Sequence, residues 1–260
     1  MRRLAAIAFT LATLSACGVG DLLRQYEYEE DVYLSLDGKA TVYVNSSVAA
    51  LDALRGAALD TNPKKLPDRA MVRDFFAAPF THDIRVTTSR RSGRRFVHVR
   101  LDVDDVRAMS SAAPFSWSSY RLDRDGGLFV FQQKIGRAVG KEVGDVGWTG
   151  SEVVAFRLHL PSKIEYHNAG PSNPRRGNIL VWEQSLANRL RGQPLTLDAR
   201  IQTESILYRT LFLFGATLLA VAATFALVIW WIRTRGVPSA AIPEEADTGS
   251  VGVGRRSAAR

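Results

Sequence analysis

Polar and apolar positions alternate strictly from Tyr26 to Leu36. Tyr26, Tyr28, Val32, Leu34 and Leu36 share one face, with Glu30 as the exception, and Glu27, Glu29, Asp31, Tyr33 and Ser35 share the other. A period of two predicts a strand with one wet face. Asp37-Gly38 is a hairpin turn signal, and the return strand places Ala40, Val42 and Val44 on one side. Ser46 or Ser47 then caps a helix predicted over 48–59. Beyond Pro63 and Pro67, a second short helix is predicted from Asp68 to Ala77, with Met71, Val72, Phe75 and Phe76 on its apolar face.

The same pattern predicts a second hairpin, with arms Asp83 to Thr88 and Phe96 to Val103. Val97, Val99, Leu101 and Val103 lie on one face of its second arm, His98, Arg100 and Asp102 on the other. A short helix at Asp104 to Ser110 leads to a third hairpin, Ser118 to Leu122 and Leu128 to Gln133, turning at Asp125-Gly126-Gly127. Residues 134–151 hold five glycines and predict a long loop. Strand patterns return at Val153 to Leu160, Lys163 to His167, Asn178 to Gln184 and Leu195 to Gln202, with a helical turn at Leu186 to Leu190. About nine strands and two or three short helices, grouped as hairpins, predict an α+β domain on an antiparallel sheet.

Two segments depart from this pattern by being uncharged and almost wholly apolar, the first broken by Thr10 and Thr13. Arg2 and Arg3 precede an apolar run from Leu4 to Leu14, too short for a bilayer that needs about 20 residues. It predicts the core of a secretory signal spanning 1–16. Leu14-Ser15-Ala16-Cys17 has the pattern of a bacterial lipobox, an aliphatic residue and two small ones before cysteine. Cys17 is the chain's one cysteine, and acylation is the role the sequence offers its thiol. The second segment, Leu211 to Ile232, is 22 residues without a charge. As a helix it is about 33 Å long, enough to cross a membrane. Tyr208 stands at one end and Trp230-Trp231 at the other, followed by Arg233 and Arg235, so the positive-inside rule puts the C-terminus in the cytoplasm. The predicted organisation is a signal at 1–16, an extracytoplasmic domain at 17–205, a transmembrane helix with flanks at 206–235 and a disordered cytoplasmic tail at 236–260. Ala216, Ala220 and Thr224 form a small-residue ladder along the span, a possible packing seam for another helix.

Charge agrees with this picture. The 260 residues carry a formal +8. Between Gly18 and Leu207, 26 basic residues face 23 acidic ones, a net +3. The remaining excess flanks the apolar segments, where topology signals belong. A nucleic-acid binder would concentrate its basic charge on the folded domain, so no nucleic-acid partner is expected. The dense basic cluster is Arg90, Arg91, Arg94 and Arg95 at the tip of the second hairpin, a candidate contact for anionic lipid headgroups.

The order of these features resembles the LppM-like family of bacterial envelope lipoproteins. The resemblance rests on the lipobox, the DVYLSLDGKATVYV hairpin with a helix directly after it, the late GNILVWEQSL strand with Trp182, and the C-terminal membrane helix with its short basic-flanked tail. It covers roughly residues 17–235. It implies a membrane-tethered extracytoplasmic α+β domain with a role in envelope or lipid-related interactions, and supplies no catalytic residue. Trp182 itself is predicted to pack in the core.

Candidate chemistry is sparse. His159, Glu165 and His167 have some metal character, but a zinc site needs three or four converging ligands, and no metal or other cofactor is expected. Asp102, Asp104 and Asp105 lack the glycine-bearing loop of a calcium site and predict a helix cap instead. No G-x-S-x-G, H-E-x-x-H or P-loop motif occurs. The expected function is non-catalytic, binding or organising envelope lipids or glycans. An accessory subunit contacting another membrane protein and a cell-envelope hydrolase are the alternatives. A deep apolar cavity would favour lipid, and a cleft with two buried carboxylates the hydrolase.

Overall fold

The computed structural model describes residues 25–170 and 177–235; Cys17, the signal segment and the tail lie outside these. The described chain falls into two compact units, one ending at Thr210 and one beginning at Leu211.

The first unit is α+β with mostly antiparallel pairing, but it builds two sheets rather than one. The larger contains β1 (Tyr26–Leu34), β2 (Ala40–Ser47), β3 (Thr81–Arg91), β4 (Arg94–Val103), β7 (Val153–His159) and β9 (Ile179–Ser185), in the order β3-β4-β2-β1-β7-β9. The smaller contains β5 (Ser118–Asp125), β6 (Leu128–Ile135), β8 (Ser162–His167) and β10 (Leu195–Ser205), in the order β5-β6-β10-β8. Pro161 stands where the chain leaves β7 in one sheet and enters β8 in the other. One pairing departs from the predicted antiparallel pattern: β7 runs parallel to β1, from Tyr26 opposite Val153 to Tyr33 opposite His159.

Turn chemistry sets the tight connections. Ser92 and Gly93, both at positive φ (48° and 78°), link β3 to β4 in two residues. Two successive left-handed residues match the twist of an antiparallel pair. The strands therefore run further into the predicted Ser89–Arg95 turn, with Arg90 opposite Arg95 and Arg91 opposite Arg94.

Helix α1 (Val48–Arg55) begins at Ser47, whose hydroxyl accepts from the Ala50 amide at 3.0 Å. It is four residues shorter than predicted, because Gly56 enters the left-handed region and ends it. Its final carbonyls are covered by the 136–152 loop: Val139 donates to Leu54 and Gly140 to Ala53. That glycine-rich stretch is thus a strap on α1. Helix α2 (Arg69–Phe76) is capped by Asp68 and buries Val72 and Phe76. The helix predicted at 104–110 is a 3-10 turn, Val106–Ser111, capped by Asp105. Short α3 (Leu186–Leu190) follows β9.

One core joins both sheets, with Val42, Val44 and Leu101 from the larger and Phe131, Leu197 and Ile201 from the smaller. Trp182 is buried in it, and its indole donates to Asn168 at 2.9 Å. Helix α4 (Ile206–Thr234) starts directly after β10, and the second unit begins within it at Leu211. Its stretch Thr210–Thr234, of mean hydropathy 2.4, is long and apolar enough to cross a membrane and supports membrane association.

Candidate functional site

A cavity of about 1110 Å³ opens in the first unit at the end of β1, bordered by β8 and by the residues leading out of β10. Leu36, Ile164, Leu180, Leu207 and Tyr208 give it apolar walls. Ser162 is completely buried, and neither its hydroxyl nor the buried Nδ1 of His167 has a hydrogen-bond partner among the described residues. Both residues line the cavity. Buried polar groups are nearly always paired in folded proteins, so these two atoms, covered by the protein just behind the cavity wall, stand out. Asn178 holds the rim by donating to the Leu160 carbonyl at 2.6 Å. The arrangement suits an amphiphile: apolar contact over most of the surface and a few converging polar atoms.

Two buried charge networks lie elsewhere. Glu30 accepts from Arg55 at 2.7 Å, from Tyr120 at 3.0 Å, from Gln133 at 2.9 Å and from Tyr28 at 2.9 Å. Arg55 stacks over Trp117, 3.3 Å from the ring centroid, and buried Arg189 approaches the same ring at 4.9 Å. Burial, with the Arg55 charge, pushes Arg189 down to about 10. Burial likewise raises the Tyr28 and Tyr120 hydroxyls well above the ordinary tyrosine value. These residues bridge the two sheets, do not line the cavity, and hold each other in place. The second network centres on Glu27, expected on the wet face of β1 but fully buried. A register irregularity at Tyr26/Tyr28 turns it inward, where it meets Arg94 at 2.9 Å and the Trp148 indole at 3.2 Å.

That pairing changes the arginine tip. Arg94 is buried, tied to Glu27 and to the Gly147 carbonyl at 2.8 Å. Arg91 donates to the Tyr26 carbonyl and lies over Phe96, and Arg95 reaches the Pro63 carbonyl at 3.2 Å. Arg90 is exposed. The tip sits at the start of β1 and the cavity at its end, a separation of about 26 Å for a nine-residue strand.

The three residues with metal character are split between sheets. His159 is on β7, stacked on Tyr33, while Glu165 and His167 are on β8, where Glu165 meets Lys163 at 3.0 Å and Gln202 at 2.6 Å. No group of three or more His, Cys, Asp or Glu able to hold a metal occurs among the described residues. His98, expected to be simply exposed, is half-buried between Asn45 and Ser89. Asp102 pairs with Arg100 and Asp104 with His82, leaving Asp105 as the cap. The cavity itself was not foreseen. Its walls come from chain segments far apart in sequence, and the one local signal was Pro161, which separates two strand patterns with nothing between them.

No protein-family model and no curated protein sequence matches the chain. Among solved structures, it is similar to the NMR structure of the folded domain of Mycobacterium tuberculosis LppM, at 11% identity and a TM-score of 0.37, covering 69% of this chain and 92% of that one.

Proposed function

We propose that this chain is a membrane-anchored extracytoplasmic lipoprotein of LppM-like organisation that holds an envelope lipid, without catalysis, in the cavity between β8 and the end of β1. The observation carrying this reading is the cavity's mixed lining: leucine and isoleucine walls beside the polar residues Ser162, His167 and Asn178, and a position where the chain passes from β10 into an apolar helix. A lipid delivered from a bilayer would meet Leu207 and Tyr208 first. The acyl chain would find Ile164, Leu180 and Leu36. In this proposal Cys17 carries a second, acyl anchor, and Arg90 with Arg95 is what the tip offers to anionic headgroups.

Photolabelling tests the site. A phospholipid with a diazirine on its acyl chain, incorporated with the full chain into nanodiscs, is expected to form adducts on peptides 161–167 and 205–210. Adducts confined to 211–234 would mean that lipid only surrounds the apolar helix, and would overturn the proposal.

A further inference from the structure

The outer face of the six-stranded sheet, opposite the core, carries an aromatic cluster. Cross-strand register aligns Asp102, Thr41, Tyr33 and His159 in one row across β4, β2, β1 and β7. The Tyr33 and His159 rings stack with centroids 3.8 Å apart and planes 11° from parallel, and Tyr43 meets Tyr33 edge-on at 5.4 Å. Tyr33 is nonetheless 44% exposed. Burial and the nearby Arg157 charge lower the His159 pKa, so the stack is uncharged at neutral pH. Beside it lies a cleft of about 520 Å³, bordered by Tyr33, His159, Thr41, Arg100, Asp102 and Lys39.

The polar groups of this cleft are already in place. Arg100 holds Asp102 at 2.9 Å and the Thr41 hydroxyl donates to the same carboxylate at 2.7 Å. Each carboxylate oxygen accepts more than one hydrogen bond and the guanidinium carries five donors, so both groups keep capacity toward the cleft. Two arginines of this face are compensated, Arg100 by Asp102 and Arg157 by Glu29 at 2.7 Å and by Asp31, while exposed Arg85, opposite Arg100 on β3, has no ion pair among the described residues, so the face carries charge of both signs with little net excess. An acyl chain would gain little from a rim of ion pairs. A half-exposed ring beside fixed donors and acceptors of both kinds fits a molecule with an apolar C–H face and a rim of hydroxyls. A pyranose has that shape, and the volume admits one or two rings.

We propose that this cleft binds a pyranose unit of an envelope glycan, with the Tyr33 ring against the sugar's C–H face and Asp102 and Arg100 engaging its hydroxyls. The cleft shares Ser35, Pro161 and Asn178 with the wall of the cavity at the end of β1, but Tyr33, Arg100 and Asp102 line the cleft alone, and the glycan reading does not depend on the lipid one. A chain held at the membrane by one site and at a polysaccharide by the other would tether the two.

The probes are chitotetraose, mannotetraose and cellotetraose, each titrated into the full chain in nanodiscs and followed by calorimetry and saturation-transfer NMR. At least one is expected to bind with Kd of about 1 mM or tighter, with saturation concentrated on protons of one ring face. Tyr33→Ala should weaken that binding at least about tenfold and Tyr33→Trp should keep it, because the ring and not the hydroxyl makes the contact. Asp102→Asn should weaken it while leaving the saturation pattern in place. Lipid photolabelling of Tyr33→Ala should equal that of the wild type, so the two proposals can fail separately. No binding of any of the three sugars at about 10 mM, or equal binding by Tyr33→Ala, overturns the glycan site.

Discussion

Glu30 broke the apolar alternation of β1 in the sequence, and the structure shows why it stays. It is the acceptor on which Arg55, Tyr28, Tyr120 and Gln133 converge between the two sheets. Removing one partner of such a pair leaves a buried charge uncompensated and costs about 3–5 kcal/mol, whereas an apolar replacement of both is far milder. Glu30→Leu should therefore destabilise strongly in chemical denaturation followed by tryptophan fluorescence, and Glu30→Leu with Arg55→Met should recover much of the loss. A double variant as unstable as the sum of its singles would contradict this coupling. The arginine tip divides by the same logic. Arg94→Ala, which strands Glu27, should cost about 3–5 kcal/mol, and Arg90→Ala should stay within about 0.5 kcal/mol. From sequence the four arginines are equivalent. Burial of one of them depends on the inward turn of Glu27, which alternation alone does not reveal.

At the scale of elements, local chemistry carried most of the prediction. Strand β1 follows its alternation from Tyr28 onward and β4 from Val97 onward, and Ser47 and Asp68 cap the helices that start after them. The predicted α1 ran past its real end because its apolar spacing continues through Ala57, Ala58 and Leu59. Gly56, at φ 69°, and the 136–152 strap stop it. Gly56→Ala should cost about 1–2 kcal/mol in the left-handed region, with its new Cβ 3.4 Å from Val139; thermal melting reads this directly, and an unchanged midpoint would refute that role for Gly56. Ser47→Ala should cost about 1 kcal/mol through the lost cap. In α4, the Thr224 hydroxyl already donates to the Ala220 carbonyl at 2.8 Å. The small-residue ladder therefore offers a neighbouring helix close packing and little hydrogen bonding.

At the scale of the whole chain, the α+β class was legible from strand spacing, but the division into two sheets was not. Which strand pairs with which is a long-range choice, and β7 joins β1 in parallel across more than a hundred residues. The same choice brings the walls of the cavity together from distant segments, so the cavity was not legible in the sequence. Nine steps from Cys17 to Tyr26 reach at most about 30 Å, close to the length of β1 itself. If Cys17 is acylated as proposed, Cys17→Ala should abolish fatty-acid labelling yet leave the protein in the membrane fraction through α4. Native mass spectrometry of the full chain released from mild detergent tests most directly whether the cavity is a lipid site. Wild-type protein should retain one more lipid than an Ile164→Trp variant, whose indole occupies the cavity, with both variants equally folded. Equal lipid retention by the two would contradict the claim.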